Sequence, residues 1–220
     1  MDFRLYCILF SCSVFAITSL VYGLKFLKKR NPLVGLEWLA LGISGVNVIV
    51  FLLTGSKVSG EVMHFLDGFS RGFGLPIVAV IGLMEVTGMR RLSIAQDIML
   101  IVAAIVGAVI LVFADFLNGV RPYFYVVMWT WLSAYLVYFI VKLLEIEETF
   151  HALSMLVALL SSLAIACIYD FYKIPGDESN AILNFPFLAL LTWAYFVVSI
   201  YYAYCALERG TLKHGSFVRA

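Results

Sequence analysis

Residues Glu61 to Thr87 read EVMHFLDGFSRGFGLPIVAVIGLMEVT. The stretch is long and apolar enough to cross a bilayer. Yet it holds His64, Asp67, Arg71 and Glu85, and it is broken by Gly72, Gly74 and Pro76. On an α-helix each residue turns about 100°, which sets His64, Asp67, Arg71, Gly74, Val78, Gly82 and Glu85 on one stripe roughly 80° wide. A charge at the bilayer centre costs about 2.5–3.5 kcal/mol on insertion scales. The stripe is therefore expected to face a bundle or a wet cavity rather than lipid. Asp67 and Arg71 stand four apart, so their side chains meet on a helix. In low dielectric each needs the other.

The rest of the chain has the same character. It has 220 residues, 63% hydrophobic and 13% charged, where a soluble domain averages about 45–50% apolar and about 25% charged. The excess falls in runs of about 20 residues, the length that crosses about 30 Å of hydrocarbon. The runs are 5–27, 33–53, 62–87, 94–113, 123–144, 152–169 and 183–207. This predicts an all-α integral membrane protein, a seven-transmembrane-helix bundle forming one domain over 1–220. The third run has two readings: a span starting at Val62, or one starting near Arg71 with Val62–Arg71 lying on the outer surface. Pro76 has no N–H for the carbonyl of Gly72, which predicts a kink.

Orientation follows from the cations. Lys25, Lys28, Lys29, Arg30, Arg90, Arg91, Lys142, Arg209, Lys213 and Arg219 fall at one side; Arg4, Lys57, Arg121 and Lys173 fall at the other. The positive-inside rule then puts the N-terminus outside and the C-terminus in the cytoplasm. Charge follows the first run instead of leading it, so that run reads as a retained helix and not a cleaved signal. The compact loops and short tail suggest a bacterial inner membrane.

Other candidates lie on neighbouring runs. Glu37, Ser44 and Asn47 share a face of the second. Trp131, Tyr135, Tyr138 and Lys142 share a face of the fifth, and Asn184, Tyr195, Ser199 and Tyr202 one side of the seventh. The fourth run is nearly featureless, as a lipid-facing or linking helix would be. The expected solute or ion pathway is thus Asp67, Arg71, His64, Glu85, Asn47, Trp131, Tyr135 and Tyr195.

LVYGLKFL ends the first run and LVYFIVKLL the fifth; GLPIVAVIGLM in the third matches NFPFLALLTWA in the seventh, Pro76 against Pro186. Two triplets joined by a linker helix resemble the three-plus-one-plus-three plan of certain sugar transporters and sorting receptors. Those sugar transporters carry a Pro-Gln-type motif in the first helix of each triplet. The first and fifth runs here have no proline.

Several chemistries are disfavoured. Gly42-Ile43-Ser44-Gly45 has the form used by intramembrane serine proteases, but His151 and His214 sit on the cytoplasmic side and His64 near the outer edge, leaving no base for the serine. A small-residue helix contact is the simpler reading. H-E-x-x-H is absent. One intramembrane histidine does not ligate haem from two sides, and no lysine lies mid-span in the seventh run for retinal. The four cysteines lack metal-ligand spacing. The expectation is no enzyme, no cofactor, no metal and no nucleic-acid partner. The partners are the lipid bilayer, a small solute or ion, and a second copy or another membrane chain. A transporter or channel leads; a sensor or receptor and an accessory membrane subunit are the rivals.

Overall fold

The computed structural model describes residues 3–89, 93–172 and 184–217, with side chains to 210. It is all-helical, and seven helices are long and apolar enough to span a membrane. They are α1 (Phe3–Lys28), α2 (Pro32–Thr54), α3 (Lys57–Leu83), α4 (Ile94–Phe113), α5 (Arg121–Glu145), α6 (Thr149–Tyr169) and α7 (Phe185–Phe217). The expected Met89-Arg90-Arg91 turn, the connection after Tyr172 and the first residue of the seventh run lie wholly or partly outside the described residues.

Local chemistry sets the boundaries. Asn31 caps α2 by accepting from the Val34 N–H, and Pro32 opens the first turn, where its missing N–H costs nothing. The Asn31 amide also donates to the carbonyl of Gly82 at 2.7 Å, tying the α1–α2 turn to the far end of α3. Gly55 ends α2 with φ +67°, a left-handed cap. Ser56 then accepts from the Ser59 N–H, so α3 begins at Lys57 and not at Val62 or Arg71. Ser93 and Gln96 form a reciprocal capping box at the start of α4.

Pro76 is absorbed without ending the span. Residues Ser70–Ala79 wind as a π-helix between α-helical Lys57–Phe69 and Val80–Leu83. A π-helix bonds each N–H to the fifth residue back, so it winds more slowly than an α-helix. That corrects the single stripe. His64, Asp67 and Arg71 still face one cavity. Gly74, however, lies against Glu37 of α2, and Gly82 against Asn31 and Val34. Val78 packs with Leu33, Ala104 and Ala108. Glu85 borders a second pocket with Arg30, Asn31 and Asp97.

α3 is the centre of the bundle. Its apolar window is 72% buried, against 22–33% for the other six helices. α1 and α2 pack closely through small residues: a side chain on Gly23, Gly35 or Gly42 would strike the opposite helix. That is the small-residue contact expected of Gly42 and Gly45, the latter resting on Ala16 and Phe15. α4 packs on α3 and leaves most of its surface, including Ile98, Val102 and Ile110, exposed. The main core runs from Phe26, Trp38 and Leu83 to Leu132, Phe139, Met155 and Phe196.

Candidate functional site

The site grows from Arg71. Its guanidinium is 5% exposed, and two carboxylates hold it: Asp67 at 3.4 Å, one turn back on α3, and Asp170 at the end of α6 in a close ion pair. The group also lies 4.1 Å from the ring centres of both Tyr125 on α5 and Tyr169 on α6. A planar guanidinium suits such a clamp, since its edge serves carboxylates and its faces serve rings. Three helices thus converge on one cation. Asp67 is 31% and Asp170 20% exposed, and Asp67 and Arg71 stand on the wall of a polar space.

That space is a cavity of about 380 Å³. Its polar wall is His64, Asp67, Ser70, Arg71 and Ser44. Its other walls are aromatic, with Phe15, Trp129, Tyr169, Phe185, Trp193 and Phe196 prominent. The rings touch in series: Tyr169 meets Phe185 at 5.5 Å and Trp193 at 6.0 Å, and Trp193 meets Phe15 at 6.3 Å. The indole N–H groups of Trp129 and Trp193 are buried without a protein acceptor, as is the hydroxyl of Ser70. His64 is exposed, so the cavity reaches the surface on the side where α3 begins.

The remaining expected residues are placed elsewhere. Asn47 donates from its side chain to the Ile43 carbonyl on its own helix at 2.9 Å. Trp131 is 61% exposed on the outer side of α5. Tyr135 is buried in the main core, beside Tyr138 and Phe139. Tyr195 is 40% exposed and bonds Ser154 of α6 at 2.9 Å, where Ser199 also meets it at 3.1 Å. Glu85 lies at the opposite end of α3 from His64. Among the described residues no group of three His, Cys, Asp or Glu is placed to hold a metal ion, and the cysteines are free.

Sequence reasoning missed Asp170, Tyr125 and Tyr169 as partners of Arg71. Asp170 follows the last apolar residue of its run and reads as the start of a loop. The signal available was the need of Arg71 for more than one acceptor. Glu37 is also placed unexpectedly. It is 1% exposed, and both carboxyl oxygens lack a hydrogen-bond partner.

Compared with family models, with curated proteins and with solved structures, the chain matches none.

Proposed function

We propose that the protein is a small multi-pass transporter whose cavity takes up a small organic solute, preferring a cation to an anion. The observation that carries this reading is an aromatic-walled cavity at the central helix whose buried cation among the described residues, Arg71, is already held by two carboxylates. An anion entering there meets Asp67 on the wall and an Arg71 already paired with Asp67 and Asp170. A cation finds aromatic faces, which attract it most strongly once water is gone. Trp129 and Trp193 line the same cavity, and indole side chains suit the flat or apolar parts of such a solute. Oriented by the positive-inside bias, as in a bacterial inner membrane, the cavity opens away from the cytoplasm.

Uptake into proteoliposomes tests this, with matched small ammonium, neutral and carboxylate solutes. The expected result is uptake of an ammonium compound that Asp67→Asn abolishes while the protein stays folded. Uptake of carboxylates alone contradicts the charge preference.

One observation favours a second reading, a non-enzymatic receptor. Leu75, Phe196 and Val197 line the cavity and belong to the packed core that continues to Phe26 and Phe139. A pocket closed at its deep end binds without passage. Ligand-dependent thermal stabilisation with no flux for any bound solute would select that reading. Co-purification of an unrelated membrane chain would select an accessory subunit.

A further inference from the structure

Glu37 takes no part in the ion pairs around Arg71. Its side chain projects from α2 toward α3, where the carboxyl rests on Gly74 in the π-helical segment. A methyl group at position 74 would overlap the carboxyl, so the carboxyl fills the space that the glycine leaves. Among the described residues, none of the titratable groups on the helices around it bonds to it: not Cys12, Tyr22 or Lys25 on α1, Asp67 or Arg71 on α3, Tyr135 on α5, nor Tyr201 or Tyr204 on α7. The polar side chain that faces it is Ser70, outside good hydrogen-bond geometry and with no other partner for its hydroxyl. Ser70 in turn lines the cavity beside Asp67 and Arg71.

An unpaired carboxylate in such a place carries a large desolvation cost. The neutral acid avoids most of it, and its O–H supplies the donor that a carboxylate lacks. We infer that Glu37 is a proton-binding site beside the cavity, held as a carboxylic acid and exchanging its proton with the cavity through the Ser70 hydroxyl. The transfer balances. The Glu37 O–H bond breaks and its proton goes to Ser70 Oγ. The serine's own proton goes on to a cavity water. The products are a carboxylate, an unchanged serine and a hydronium ion. A π-helical segment is a natural place for this, since such segments recur at functional sites. On the transport reading above, this proton is the coupling ion; the acid itself does not depend on that reading.

Infrared spectra of the full chain in lipid test it. The expected result at neutral pH is the carbonyl band of a protonated carboxyl that Glu37→Gln removes. Glutamine keeps the shape and neutrality of the acid, so the variant should fold. In wild-type protein, glutamate labelled with heavy carbon should move the same band, which assigns it without a variant. Transfer to heavy water should shift the band, and Ser70→Ala should slow that shift. A wild type with no such band, a band untouched by Glu37→Gln and by glutamate labelling, or a band that keeps its position in heavy water overturns the inference. Absence of solute flux would leave all these signals in place, so it bears on the transport reading alone.

Discussion

Arg71, on the cavity wall in α3, and Asp170, at the end of α6, are 99 residues apart in sequence and form an ion pair. The pair joins the central helix to a helix that follows two others in the chain. Its burial is unequal, with Arg71 nearly sealed and Asp170 partly open. Removing one member of a buried pair strands the other, at a cost of about 3–5 kcal/mol. Arg71→Leu strands two carboxylates and should fall in that range. Asp170→Asn leaves Arg71 with Asp67 and should cost less. Asp67→Asn removes the longer and more exposed contact and should cost least. Unfolding in detergent, followed by helix signal against denaturant, gives the order; equal losses for all three would break it.

The two rings in contact with Arg71 should matter as rings, not as hydroxyls. Desolvated cation–π contacts contribute about 2 kcal/mol. Tyr125→Phe and Tyr169→Phe should therefore stay close to wild type in thermal stability. Tyr125→Leu and Tyr169→Leu should each lose about that amount beyond the loss of area. A Phe variant as damaging as its Leu counterpart would point to the hydroxyl instead.

Gly74 makes the Glu37 carboxyl fit. Gly74→Ala places a methyl into that carboxyl, and overpacking of this kind costs about 1–3 kcal/mol. Glu37→Ala should recover most of that loss in the double variant, because the colliding atoms are gone. Additive losses in the cycle would mean that Gly74 is required for its backbone rather than for this contact.

Much of this architecture is legible in the chain. The seven spans follow from apolar run length, and the start of α4 coincides with the expected run because Ser93 and Gln96 cap it there. The start of α3 is less legible. Lys57 and Glu61 lower the hydropathy there, while the Ser56 cap that decides the boundary is a single side chain. The lack of an N–H on Pro76 is plain from its identity. Whether the chain kinks or winds as a π-helix depends on neighbours, among them Leu111 against Gly72 and Glu37 against Gly74. The choice between Trp129 and Trp131 was not legible either. Both faces of α5 are apolar and aromatic, so periodicity does not say which one meets α7. Trp129 faces Phe196 and Trp131 faces out. The clamp on Arg71 depends on which helices stand side by side, which no local pattern records.

At the other end of the bundle Lys29 is paired with Glu208. The hydrogen bond to Glu208 holds the Lys29 ammonium above its ordinary value of 10.5, with burial opposing. A raised folded-state value means the contribution is complete below the unfolded value and is lost as pH climbs through the folded one. Glu208→Gln should thus lower stability near neutral pH, by no more than about 1 kcal/mol because both groups are partly exposed. The difference from wild type should vanish in strong alkali. A difference that persists there would assign the effect to packing.

Arg71 lies beside a cavity between helices, which in the proposed orientation is open on the face away from the cytoplasm. In a cysteine-free background, a small membrane-impermeant thiol reagent applied from that face tests it. His64→Cys and Ser44→Cys, which line the cavity, should be labelled, and Trp131→Cys, which faces outward, should not. Labelling of Trp131→Cys with protection of both cavity positions would contradict the account.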